Sequence, residues 1–167
     1  MSTAASERTI PPGQLDGRLF ARVIEEGYGS GAWHGPDLKA ALSEVSPTLA
    51  FWRPAVGRHN IAEIALHHAF FVRSVVGQLS GKTPEPFVID GEDWFQLSDR
   101  GRLTWPEILG VVESQQTALA ATVANLATRR GQRATGELEP FDLVLGITCH
   151  AIYHAGQVQL IKRLAGG

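Results

Sequence analysis

The chain is 167 residues long, and 44% of them are hydrophobic, which suits one globular domain with a core of its own. Fifteen basic residues against 17 acidic ones give a net charge of -2 with no block of like charge, the opposite of the basic stripe that a nucleic-acid binder carries. The single cysteine, Cys149, excludes an intramolecular disulfide and any multi-cysteine zinc site, so a metal would have to be held mainly by histidine or carboxylate.

The N-terminal MSTAASERTIPPGQ contains no apolar signal-peptide core. No apolar run reaches the roughly 20 residues needed to cross a bilayer, and a soluble cytoplasmic protein without a membrane or nucleic-acid partner is expected. The first helical pattern runs from about Gln14 to Gly27, with Leu15, Leu19, Phe20, Val23 and Ile24 at helical spacing. YGSGAWHGP breaks it. Pro36 suits a helix first turn, so DLKAALSEV (37–45) reads as a short helix, and Ser46-Pro47 as the start of another turn.

A long helix is predicted from Asn60, an N-cap with Glu63 in capping-box position, to near Gly81, where KTPEPF supplies two prolines. From there to Leu103 the chain is loop-like and holds DGEDWFQLSDRG, and irregular stretches of this length inside a small domain are often functional. Thr104 and Glu107 form a second capping box. They open a helix of about 25 residues, WPEILGVVESQQTALAATVANLATRR, that ends before Gly131. PFDLVLGITCHAIYHAGQVQLIKRLAGG (140–167) makes the last helix. With no internal repeat and no strand alternation, the expected architecture is all-α, a single-domain four-helix bundle with one or two long connections.

Leu143, Ile147, His150, His154, Gln157, Ile161 and Leu164 in the last helix are spaced 4, 3, 4, 3, 4, 3, the seam of a helix that faces its neighbours. Three polar side chains occupy the middle of that seam. An unpartnered buried imidazole or amide costs on the order of 1–3 kcal/mol, so these groups need partners. Side chains four apart on a helix are about 5–6 Å apart at Cβ, close enough for His150 and His154 to share one metal ion or to be core histidines bonded to carbonyls or carboxylates. Ala151 follows His150 where a zinc-peptidase HExxH motif has glutamate, which removes that class.

A third imidazole could come from His67 or His68 in the second long helix. They lie about 100° apart around the axis, so one of them points at a given ion. Periodicity selects His68, which continues the apolar line Ile61, Ala65, Val72, Val75 and Leu79, whereas His67 sits on its flank one turn after Glu63.

NIAEIALHHA and HAIYHAGQVQLIKRL, together with AWHGP at 32–36 and EDWFQL at 92–97, resemble the motifs of the DinB-like superfamily. In that superfamily a glutamate is followed four residues later by a metal-binding histidine, and the C-terminal motif is HxxxHxGQ. The resemblance implies a DinB-type four-helix bundle holding a divalent metal, zinc or nickel, on three histidines. These match His67, His150 and His154 here, and His67 then replaces the His68 that spacing alone selects. His68, where the family usually has an apolar residue, becomes a core or supporting group. The resemblance also implies a homodimer and a metal-dependent enzyme acting on a small molecule. It is similar to thiol S-transferases that use a low-molecular-weight thiol cosubstrate, with metal-dependent hydrolases and non-catalytic metal- or small-molecule-binding bundles as alternatives. Three imidazoles leave an open coordination position at which a water or a thiol can be activated.

The remaining side chains have plainer readings beside the chemical ones. Gln157 either hydrogen-bonds a ligand histidine or satisfies a backbone carbonyl. Trp94 and Phe95 either line a pocket or anchor their loop. Glu63 is explained by its cap, Tyr153 by packing and Cys149 as a small core residue. His34 and His59 read as surface residues.

Overall fold

A computed structural model describes residues 17–29, 31–99, 101–126 and 140–166. The described residues form six helices and no strand, in agreement with the all-α expectation. They are α1 (Gly17–Gly27), α2 (Leu38–Leu42), α3 (Pro47–Phe51), α4 (Ile61–Ser80), α5 (Trp105–Leu126) and α6 (Pro140–Gly166). The four longest pack as a closed ring, α1 against α5 and α6, and α4 against α5 and α6. α2 lies on α6, and α3 on the start of α4. Gln14 to Asp16 and residues 127–139, which include the expected end of the fifth helix, lie outside the described residues.

The local chemistry of the helix starts explains their placement. Asp37 accepts from the Ala40 N–H at 2.9 Å and Ser46 from the Leu49 N–H at 3.2 Å, each capping a short helix. The Ser-Pro expected to open a turn therefore opens the five-residue helix α3. The DLKAALSEV helix stops early: Ser43 is extended and Glu44 has φ +60, a left-handed conformation that a helix cannot continue through. At α4 the capping box is complete, with the Glu63 N–H donating to Asn60 Oδ1 at 2.8 Å and the Asn60 N–H reaching back to the Glu63 carboxylate. Gly81, in the left-handed conformation, ends that helix.

Two apolar clusters fill the ring. The larger joins α2, α3, the first half of α4, the start of α5 and the second half of α6 through residues such as Leu38, Leu66, Ile108 and Val158. The smaller joins Phe20, Val72, Leu119 and Val144 at the other end. The first nine residues of α4, Ile61 to Ala69, are all buried, because the connection at 93–97 covers the side that the neighbouring helices leave open. His68 lies on its expected apolar line, and His67, on the flank, is buried as well.

The seam of α6 holds at Leu143, Ile147, His154 and Ile161, whereas Leu164 at its end is exposed. One expectation beside the seam is overturned. Cys149 is exposed instead of buried, because a turn of 100° from His150 points it at solvent. Tyr153, though exposed, packs its ring on that of His154 at 5.2 Å between centroids. No described helix is long and apolar enough to cross a membrane.

Candidate metal centre

α4 and α6 cross with His67 and His68 facing His150 and His154. His150 Nε2 lies 3.1 Å from His67 Nε2 and 3.0 Å from His154 Nε2, and all three atoms fall within 4.8 Å of one another. Tetrahedral ligands at a metal–nitrogen distance of about 2.1 Å are separated by about 3.4 Å, so the trio could hold a metal ion after shifts of a few tenths of an ångström. His68 does not join this convergence. Its Nδ1 lies 3.1 Å from His150 Nδ1, on the far side of the His150 ring from the other two.

Each converging ring is held from behind. The Nδ1–H of His67 donates to the backbone oxygen of Asp93 at 2.9 Å, with the Asp93 carboxylate also within 3.0 Å. The Nδ1–H of His154 donates to Gln157 Oε1 at 2.6 Å. Gln157 thus supports a ring, and with the proton on Nδ1 the lone pair of each Nε2 turns to the shared space. His150 Nδ1 meets His68, and His68 Nε2 in turn meets the side-chain amide of Gln116 at 2.8 Å.

Burial keeps these rings neutral, the state that a ligating imidazole requires. Desolvation, reinforced by the neighbouring imidazoles, pushes His150 down to about 4. Desolvation does the same to His154, to about 4, against the opposing hydrogen bond from Gln157. His67 is also lowered by burial, with Asp93 opposing, and His68, wholly buried among the other three, lies well below the ordinary value.

Trp94 and Phe95 anchor their loop: the Trp94 ring stacks on His67 at 3.8 Å between centroids, and Phe95 is buried in the larger cluster. His59, expected to be a plain surface residue, stacks on the other face of Trp94 at 3.6 Å, and its Nδ1 lies 3.0 Å from the Glu63 carboxylate. That carboxylate also pairs with Arg53 and accepts the Leu97 N–H at 3.0 Å, so Glu63 ties the start of α4 to the covering loop. His34 is exposed beside the Glu26 carbonyl, remote from the cluster in its contacts. Asp93, Gln116 and His59 are the contributors that sequence reasoning missed. Asp93 acts from a loop and Gln116 from a helix with no metal-binding pattern, so only the run of polar residues in EDWFQL hinted at the first.

The family model of the DinB superfamily matches residues 32–158, a span that contains all four clustered histidines, Trp94 and Gln116. No curated protein matches the chain. No solved structure matches it either.

Proposed function

The chain belongs to the DinB superfamily, and from that premise we propose that it is a metal-dependent enzyme, resembling thiol S-transferases, that joins a low-molecular-weight thiol to an electrophilic small molecule. The observation that carries the reading is the convergence of His67, His150 and His154 through Nε2, each with its other nitrogen occupied. A divalent ion such as zinc or nickel, bound there, supplies a Lewis-acidic centre at which a thiol or a water becomes acidic near neutral pH.

The chain's own groups prepare that centre. Asp93, His68 and Gln157 orient the three rings, and burial keeps the imidazoles neutral, the charge state that a ligand needs. Trp94 covers one face of His67 and excludes water from it. His68, the side chain best placed to close the site as a fourth ligand, faces His150 Nδ1 instead. That arrangement favours an open, catalytic position over a closed structural or sensing one.

A homodimer, the assembly that the resemblance implies, has a suitable face in the exposed side chains of α6. Leu145, Tyr153, Leu160 and Leu164 line one side of that helix, and all are more than two-fifths exposed. A reducing cytoplasmic location fits the free, exposed Cys149.

Metal analysis of protein purified without an affinity tag tests the first step. One divalent ion per chain is expected, lost in His150→Ala and His154→Ala; retention unchanged in both variants refutes the site. The metal-loaded protein should then consume a model electrophile only when a low-molecular-weight thiol is supplied. Turnover at the same rate without thiol replaces the transferase reading by hydrolysis.

A further inference from the structure

Two ring nitrogens 3.1 Å apart hold one proton between them: two lone pairs repel and two N–H groups collide. His150 Nδ1 and His68 Nδ1 stand at that distance, and His68, fully buried, has no water to soften the rule. The next link is Gln116, whose amide nitrogen faces His68 Nε2 at 2.8 Å and is itself about nine-tenths buried.

Followed from Gln116, the protons have a single consistent order. The amide N–H donates to His68 Nε2, so His68 carries its proton on Nδ1 and donates it to His150 Nδ1. His150 then carries its proton on Nε2, where the Nε2 lone pairs of His67 and His154, at 3.1 and 3.0 Å, accept it. The remaining protons of those two rings go to Asp93 and Gln157. Every imidazole nitrogen of the cluster is satisfied with the four rings neutral.

A metal ion on the three Nε2 atoms is incompatible with that order, because His150 must present a lone pair where it now carries a proton. Resting on the metal reading above, we propose that His68 and Gln116 form a buried relay whose direction is set by metal occupancy. On loading, the His150 proton moves to Nδ1, the His68 proton moves to Nε2, and the Gln116 amide turns over so that Oε1 accepts. The count of protons on the four rings is unchanged. Gln116 borders a cavity about one water molecule in size between α1, α5 and α6, which leaves the amide room to turn. Gln116 is in this sense a positioning residue, acting on the metal through two imidazoles.

Nitrogen-15 NMR of the imidazoles in the full chain, before and after one equivalent of zinc, reads both tautomers. The expected result is His150 protonated on Nε2 and His68 on Nδ1 without zinc, and the reverse with it. Zinc bound with all three ligand rings shifted, but with the His68 tautomer unchanged, overturns the relay and leaves the metal reading standing. No zinc uptake overturns both. As a second measurement, Gln116→Leu should weaken zinc binding roughly 10–100-fold, the usual loss for a group supporting a ligand. Gln116→Glu, which presents only acceptors when ionised, should bind at least as tightly as the parent. Parental zinc affinity in Gln116→Leu, or an equal loss in both variants, overturns the directional role.

Discussion

Asp93 holds the His67 ring from a left-handed backbone conformation: at φ +67 its carbonyl oxygen lies 2.9 Å from His67 Nδ1. Its carboxylate is also within 3.0 Å, so backbone and side chain compete for credit. Glycine adopts the same φ without strain and removes only the carboxylate, whereas a β-branched residue there costs about 1–2 kcal/mol and shifts the carbonyl. Asp93→Gly should therefore keep zinc affinity within a few-fold of the parent, and Asp93→Val should lose roughly tenfold or more. Competition titration with a chromogenic chelator measures both. An equal loss in the two variants would give the role to the carboxylate.

Trp94 lies between two imidazoles, its ring within 10° of parallel to His59 and within 7° of parallel to His67. It is half-buried, so truncation should cost less than the roughly 3–5 kcal/mol of a fully buried aromatic. Trp94→Ala should lose about 2 kcal/mol in urea unfolding. Trp94→Phe, which keeps a ring over His67, should lose under half of that. His59→Ala should lose less again, since its outer face is open to solvent, and a loss as large as that of Trp94→Ala would show that the Glu63 contact, not the stack, is the source.

Much of this fold is legible from local rules. Asn60 with Glu63 and Thr104 with Glu107 mark the starts of α4 and α5 because both pairs are contacts between residues three apart, the first a complete capping box and the second the Glu107 carboxylate accepting from the Thr104 N–H and hydroxyl. The seam of α6 is legible for the same reason, its period needing no knowledge of the partner. The choice between His67 and His68 is different. Periodicity identifies the most buried line, and His68 is on it, but the flank that carries His67 is buried by Asp93 and Trp94 from a loop about one helix-length away in sequence. The same limit hid Gln116, which meets His68 across 48 positions, and His59, whose stacking partner lies in that loop. Cys149 misleads because an apolar residue beside a seam has no local signal to say that its neighbours on the helix face water.

Gly27, at the end of α1, sits against α6 so closely that an added Cβ would lie 3.0 Å from Ala151 Cβ and 3.1 Å from the Thr148 carbonyl oxygen. Alanine there gains helix propensity but pushes α1 off the helix that carries His150, and the expected balance is a loss of about 1–3 kcal/mol. Gly110 in α5 is the control, because nothing lies within 4 Å of its added Cβ. Gly110→Ala should stabilise by about 0.5–1 kcal/mol. Thermal unfolding of the two variants should move in opposite directions, and a stabilised Gly27→Ala would mean that α1 and α6 part without cost to admit the methyl group.

The Glu63 carboxylate gives the fold an acid-sensitive tie. Its side chain is 2% exposed, and desolvation alone would raise its pKa. The Arg53 guanidinium, the Leu97 N–H and His59 together outweigh that effect and hold it below the ordinary carboxylate value of 4.5. Where the folded pKa is the lower one, the unfolded chain binds the extra proton first, so acid favours unfolding. The stabilisation is complete above the unfolded value and is lost as pH falls from about 4.5 through the folded one. Glu63→Gln keeps the size of the side chain and part of the cap but has no charge to lose. At pH 7 it should be less stable than the parent by about 1–3 kcal/mol, the range for charge-assisted bonds at a buried site. That gap should narrow steadily below pH 4.5 in urea unfolding of metal-free protein, because only the parent is then being neutralised. A gap of constant width from pH 7 to pH 3 would mean that Glu63 titrates alike in the folded and unfolded chains, and that its partners do not favour the charged form.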